Sequence, residues 1–181
     1  MGKVHVVTLQ RLNRALAAVV PELDRHGFWS DRVEAIEVRL ATIGAAYGWK
    51  WSGPGHITIP ALSTAKLRDW YRGSYTSLAD VLRHEYGHAV ADTHRALVRS
   101  SRFRGAFDAA HDSDQEFEVD ADVHFTEYGA SSPAEDFAET FMVYLRHQGK
   151  LPPHHDTPAK RARWRFVGSL GRAVRAGRRR W

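Results

Sequence analysis

Two histidines and a glutamate in the run His84-Glu85-Tyr86-Gly87-His88 are the residues of this 181-residue chain best suited to chemistry. On an α-helix, side chains four apart stand one turn above each other on one face. His84 and His88 can therefore offer two imidazole nitrogens to one Zn²⁺. The glutamate between them can hold a water beside the metal and take its proton. The chemistry implied is metal-assisted hydrolysis of a peptide bond. The bland alternative is a surface helix with two unrelated histidines.

The surrounding residues predict the helix that this chemistry needs. Ser77 and Asp80 form a capping-box pattern, a hydroxyl at the N-cap with a carboxylate three residues on. Leu78, Val81, Leu82, Tyr86, Ala89 and Val90 recur at helical spacing, which predicts a helix from about Leu78 to Leu97. Gly87 inside it costs about 1 kcal/mol of helix propensity. Close approach of another backbone is a packing reason to keep it.

A catalytic zinc site needs a third protein ligand and an open position. His94 lies six residues after His88, the spacing of a metzincin third histidine, but Ala91 stands where that pattern has its helix-breaking glycine. On a continuous helix, His94 would sit about 15 Å along the axis from His84 and point elsewhere. The stronger source lies 47 residues beyond His88, in Ser132-Pro133-Ala134-Glu135-Asp136-Phe137-Ala138-Glu139-Thr140-Phe141. Pro133 and the acids after it suit a first helical turn. Glu135 and Glu139 fall four apart on one side. One can bind the metal while the other accepts the N–H of a ligand histidine. The competing explanation for these acids is ordinary helix N-terminal charge.

The blocks HEYGHAV, Tyr128-Gly129 and AEDFAETF together resemble the gluzincin peptidases, over about 25 residues. They are most similar to the catalytic domain of anthrax lethal factor and to bacterial zinc-binding metallopeptidases. The resemblance implies that Glu135 is the third zinc ligand, that Tyr128 stands near the reacting carbonyl, and that Glu139 supports a ligand histidine. It also implies a strand lining the cleft ahead of the motif helix, a place that His56–Pro60 suits.

The remaining chain bounds the reading. With no cysteine, disulfides, thiolate ligands and a cysteine nucleophile are all excluded. The N-terminus shows no secretory pattern and no run approaches the roughly 20 apolar residues of a membrane span, so the default expectation is a cytoplasmic protein. The net charge of +5 hides a split. Residues 160–181 carry Lys160 and eight arginines with no acid, whereas residues 1–159 sum to −4. Between Gly105 and Leu145 there is no lysine or arginine. Asp112, Asp114, Glu116, Glu118, Asp120 and Asp122 alternate with other residues there, as a half-exposed strand or a solvated acidic face would.

Thr8 to His26 predicts an amphipathic helix, with Pro21 expected to kink it and Gly27 to end it. Residues 36–40 alternate at strand period, and His56–Pro60 reads as a short strand that ends at Pro60 or lies at an edge open to an added peptide strand. Tyr47 to Trp51, the turn Ser52–Gly55 and the aromatic stretch Arg68–Tyr75 connect these elements. The expected architecture is α+β and zincin-like: a small mixed sheet packed on the motif helix, and a mostly helical C-terminal half. Residues 1–151 are expected to form a single peptidase-like domain, and 152–181 a linker and basic tail. That tail suits nucleic acid, an anionic membrane surface or an acidic partner, or packing on the chain's own acidic face. The rival to the enzyme is a non-catalytic module with a peptidase-like fold that binds through this tail. Glu85 favours the enzyme, since a pure binder has no need of a base between two ligands.

Overall fold

The first helix shows how apolar spacing becomes architecture. In the computed structural model, which describes residues 6–41, 48–50, 55–61 and 75–181, α1 spans Leu9–Arg25. Thr8 caps it by accepting from the Arg11 amide, and Leu12, Ala15, Val19 and Leu23 are buried along one face. Pro21 lies inside the helix without ending it. A proline removes one donor from the ladder, and the buried stripe on both sides of it holds the helix together. Gly27 follows at φ +85°, turning the chain towards Phe28, which packs on Phe141 with ring centroids 4.7 Å apart.

A short helix α2 (Asp31–Glu34) leads into β1 (Glu37–Ala41), followed by β2 (Gly48–Lys50) and β3 (His56–Pro60). The sheet is mixed, in the order β1-β3-β2. β3 pairs in parallel with β1, Val38 opposite Ile57, and antiparallel with β2, Trp49 opposite Ile57. Pro60 ends the strand, as a residue without an amide donor should. The edge expectation for His56–Pro60 is corrected: β3 is the central strand, and Ile57 and Ile59 are fully buried. The expected segments at 42–47, 51–54 and 62–74 lie outside the described residues.

The motif helix α3 runs from Leu78 to Thr93, with the Ser77 hydroxyl accepting from the Asp80 amide at 3.3 Å. It stops four residues short of the predicted end. His94 has φ −116° and ψ 40°, outside the helical well, and a separate short helix α4 (Arg95–Val98) follows. Then come α5 (Ser101–Phe107), a 3-10 turn at Tyr128–Ser131, α6 (Pro133–Arg146), a second 3-10 turn at Pro153–His155, and α7 (Pro158–Arg175). The alternating acids at 112–122 form no strand. Their backbone runs through an irregular connection with Asp114, Glu116, Glu118, Asp120 and Asp122 exposed, which is the solvated acidic face.

Among the described residues the architecture is thus α+β, seven helices around a three-stranded mixed sheet. β2, β3, α1, α2 and α6 all pack on α3. The buried apolar residues form one cluster that reaches from α1 to α7. Residues 152–181, expected as linker and tail, contribute Trp164, Phe166, Val167 and Leu170 to that cluster. Gly171 lets α7 lie against the chain after α1, since a Cβ there would come within 2.1 Å of the His26 carbonyl oxygen. No helix among the described residues is long and apolar enough to cross a membrane.

Two helices carry the site, and their approach is set by Gly87. A Cβ at Gly87 would stand 3.1 Å from Ala138 Cα, so the missing side chain brings the α3 and α6 backbones together. The first turn of α3 is then tied to both neighbours by charge. Arg83 makes a two-pronged pair with Glu22 of α1, both contacts at 2.8 Å, and donates to Asp80 at 2.7 Å. Arg146 of α6 donates to the same Asp80 carboxylate at 3.0 and 2.9 Å. Burial alone would raise the Asp80 pKa, but the Arg146 guanidinium and hydrogen bonds from Thr76 outweigh it and hold it below the ordinary carboxylate value.

Asp80 is 1% exposed, so removing its charge takes away the carboxylate that Arg83 and Arg146 share at a largely buried site. Asp80→Asn is expected to lower the unfolding free energy by about 3 kcal/mol in denaturant titration. The sign of the pH dependence follows from the lowered folded-state pKa. The Asp80 contribution is full above about pH 4 and is lost as pH falls through the folded value, so the variant should show a shallower loss of stability in acid than wild type. A variant as stable as wild type at pH 7 contradicts this reading.

Candidate metal centre

His84 and His88 leave α3 on the face that α6 covers, and Glu135 leaves the first turn of α6 towards them. Ser132 sets that turn by accepting from the Glu135 amide at 3.2 Å, with Pro133 at the first helical position. The three side chains converge. His84 Nε2 lies 3.0 Å from His88 Nε2, and Glu135 Oε2 lies 3.2 Å from the first and 3.3 Å from the second. Tetrahedral zinc with bonds of about 2.0–2.1 Å places neighbouring ligand atoms about 3.3 Å apart. The triangle is therefore the size that one such ion requires. His84, His88 and Glu135 form the one group with metal-ligand geometry among the described residues. His94 is outside it; its Nε2 is buried without a hydrogen-bond partner, and burial followed by Arg32 lowers its pKa to about 4.

The residues behind the triangle fix how it is presented. His84 is 1% exposed, and its Nδ1 lies 2.7 Å from Glu139 Oε1. An imidazole that donates from Nδ1 to a carboxylate keeps its Nε2 lone pair for a metal. Glu139 is fully buried and receives two further donors, the Tyr75 hydroxyl at 2.9 Å and the Thr126 hydroxyl at 2.7 Å. Thr126 in turn accepts from the Gly129 amide at 3.1 Å. Glu139 thus supports His84 rather than His88, a choice that the spacing of the residues left open.

Electrostatics in the cluster favour a cation. Burial opposes charge on His84, yet the carboxylates of Glu135 and Glu139 outweigh it and raise its pKa to about 10. Burial works the other way on Glu135, and His88 and His84 hold its pKa far below the ordinary value. Glu135 Oε2 is buried, and its polar neighbours are the two histidine ring nitrogens at 3.2 and 3.3 Å. A buried carboxylate oxygen facing two ring nitrogens is a donor set suited to a divalent ion.

The remaining expected residues border this centre. Glu85 is 3% exposed and close enough to His84 to favour its charge; Gly48 of β2 faces its carboxylate, so the edge strand lies over this side chain. The Tyr128 ring lies 5.9 Å from the His84 ring, in the 3-10 turn that precedes α6. Tyr75, Thr126 and His111 were not legible as site residues. His111 packs its ring on Phe103 and Phe137, and burial, with His88 next in effect, lowers its pKa to about 4. Tyr75 had only its place ahead of the motif helix as a signal, and Thr126 only its place two residues before Tyr128.

Asp136, the residue after Glu135, is fully buried and has different partners. Arg163 of α7 donates to it at 2.8 Å, and His124 Nδ1 lies 3.3 Å from the same oxygen. The C-terminal helix therefore holds the turn that presents Glu135. No protein-family profile matches the chain, and no curated protein or solved structure matches it either.

Removing donors from Glu139 is expected to loosen metal rather than abolish it. Tyr75→Phe and Thr126→Val should each weaken zinc binding, and Glu139→Gln should weaken it by about 10–100-fold, read by competition with a chromogenic chelator. Unchanged affinity in Glu139→Gln contradicts the support role.

Proposed function

We propose that this protein is a zinc-dependent peptidase of the gluzincin type, with a zincin-like fold. The observation that carries the proposal is the 3.0–3.3 Å triangle of His84, His88 and Glu135, with Glu85 between the two histidines and Glu139 behind the first. His84, His88 and Glu135 would hold the ion, leaving one position for solvent. A zinc ion held there would supply Lewis acidity, which brings the pKa of a bound water to about 7.

This chain's own residues do the rest. Glu85 accepts the proton of the attacking water on its carboxylate and delivers it to the leaving amine, so it returns to its starting state each cycle. The Tyr128 hydroxyl donates to the carbonyl oxygen as negative charge develops on it. Glu139 keeps the His84 ring turned and its proton on Nδ1, held in place by Tyr75 and Thr126. The bulk of α6 behind the centre excludes water from one side, which strengthens each of these interactions.

Glu85→Gln is expected to bind zinc like wild type, measured by metal analysis after dialysis, and to lose cleavage of a peptide mixture by at least about 100-fold, measured by mass spectrometry. Cleavage at the wild-type rate rules out Glu85 as the base. Glu135→Ala should lose zinc while His94→Ala keeps it; the reverse pattern would move the third ligand to His94.

A further inference from the structure

The peptidase reading leaves the arginines of the C-terminus unused, and they are not placed at random. The chain leaves α7 through Gly177 at φ +65°, with the Arg178 amide bonded to the Ala173 carbonyl at 2.9 Å. Trp181 then docks where α4 meets α5. Its indole N–H donates to the Leu97 carbonyl at 2.6 Å and lies 3.1 Å from the Ser100 hydroxyl. The ring packs on Phe166 at 5.9 Å, and the Arg102 guanidinium covers it at 4.6 Å. The segment Arg178-Arg179-Arg180 is therefore fastened at both ends, beside Arg102. On the solvent side of α7, Arg165 and Arg172 stand seven residues apart, on one face. All six arginines are exposed, and among the described residues none has a carboxylate within ion-pair distance.

The other basic residues of α7 are already committed within the protein. Arg163 pairs with Asp136 and Asp108, Lys160 donates to the Ala121 carbonyl at 2.6 Å, and Arg161 pairs with Asp156. The division matters. Arg175 likewise donates to the Asp24 and Arg25 carbonyls, so these cations have partners within the protein, whereas the six arginines above have no acid in reach among the described residues.

We propose that the Trp181-fastened arginines, Arg102 with Arg178–Arg180, are a docking surface for the phosphate backbone of nucleic acid. Guanidinium groups match phosphate oxygens in pairs, and ordering them in advance reduces the entropy lost on binding. A membrane surface fits less well. The apolar residues of α7 face the core, and the large exposed hydrophobics among the described residues are Val6, Leu9 and Val119, none of them in this cluster. An acidic protein partner also fits less well, because stable protein interfaces centre on apolar anchors that this cluster lacks. The inference stands apart from the peptidase reading and needs neither zinc nor Glu85.

The test uses the full chain, with anisotropy of a labelled 20-base-pair DNA duplex and of an RNA of the same sequence across a salt series. The expected result is binding to at least one of them, with log affinity falling against log salt at a slope of roughly −3 to −5. Arg178→Ser, Arg179→Ser and Arg180→Ser combined should weaken binding at least about 10-fold and reduce the slope by about 2 to 3. A charge-matched control, Arg14→Ser with Arg25→Ser and Arg32→Ser, should bind within about two-fold of wild type; these three arginines are exposed on the N-terminal helices. Circular dichroism checks that both variants are folded. The proposal is overturned if the terminal variant binds like wild type, or if the control loses as much. It is equally overturned if the protein binds neither oligonucleotide, whether or not it binds phosphatidylserine vesicles or a second copy of itself.

Discussion

A fully buried carboxylate must have its oxygens satisfied, and Glu139 meets that demand with donors from three separate places in the chain. Tyr75 comes from just before the motif helix, His84 from within it, and Thr126 from the connection ahead of α6. None of the three is near Glu139 in sequence except Thr126. The carboxylate can be buried only if these segments arrive together, and once they do, the His84 ring has one orientation. The direction of His84 Nε2, towards His88 and Glu135, is set by this constraint before any ion is considered.

The helix that carries Glu139 is held at both ends by charge and in the middle by packing. At its start, Asp136 is paired with Arg163 of α7; at its end, Arg146 is paired with Asp80 of α3. Between them Phe137 and Phe141 are buried, and Ala138 lies against Gly87. Buried ion pairs add little net stability, but they penalise any arrangement that separates them. Here they fix the rotation and height of α6 against α3, which is what brings Glu135 to His84 and His88. Asp136 and Glu135 are neighbours with different partners, the first bound to Arg163 and the second facing His84 and His88.

The parts of this arrangement that were legible in sequence are those set by local chemistry. The capping pattern at Ser77, the proline and acids at the start of α6, and the four-residue spacings His84–His88 and Glu135–Glu139 each name a helix face, and the faces meet as expected. Gly87 was legible as a close approach because a glycine inside a strong helix pattern has a cost that something must offset. What was not legible depends on partners distant in sequence. β3 became the central strand because β2 pairs on its far side through only three residues. The motif helix stopped at Thr93, where no glycine or proline marks an end. The alternating acids read equally well as a strand, and with no partner strand they remained a solvated connection. Tyr75 and Thr126 are ordinary residues until Glu139 is folded between them.

The central claim is that one divalent ion sits between two imidazoles and one carboxylate, with room for solvent. X-ray absorption spectroscopy of the zinc-loaded protein reads that directly. The account predicts a first shell of nitrogen and oxygen at about 2.0–2.1 Å, with the multiple-scattering pattern of two imidazoles. Failure to retain zinc, or a spectrum with one imidazole or none, would contradict it.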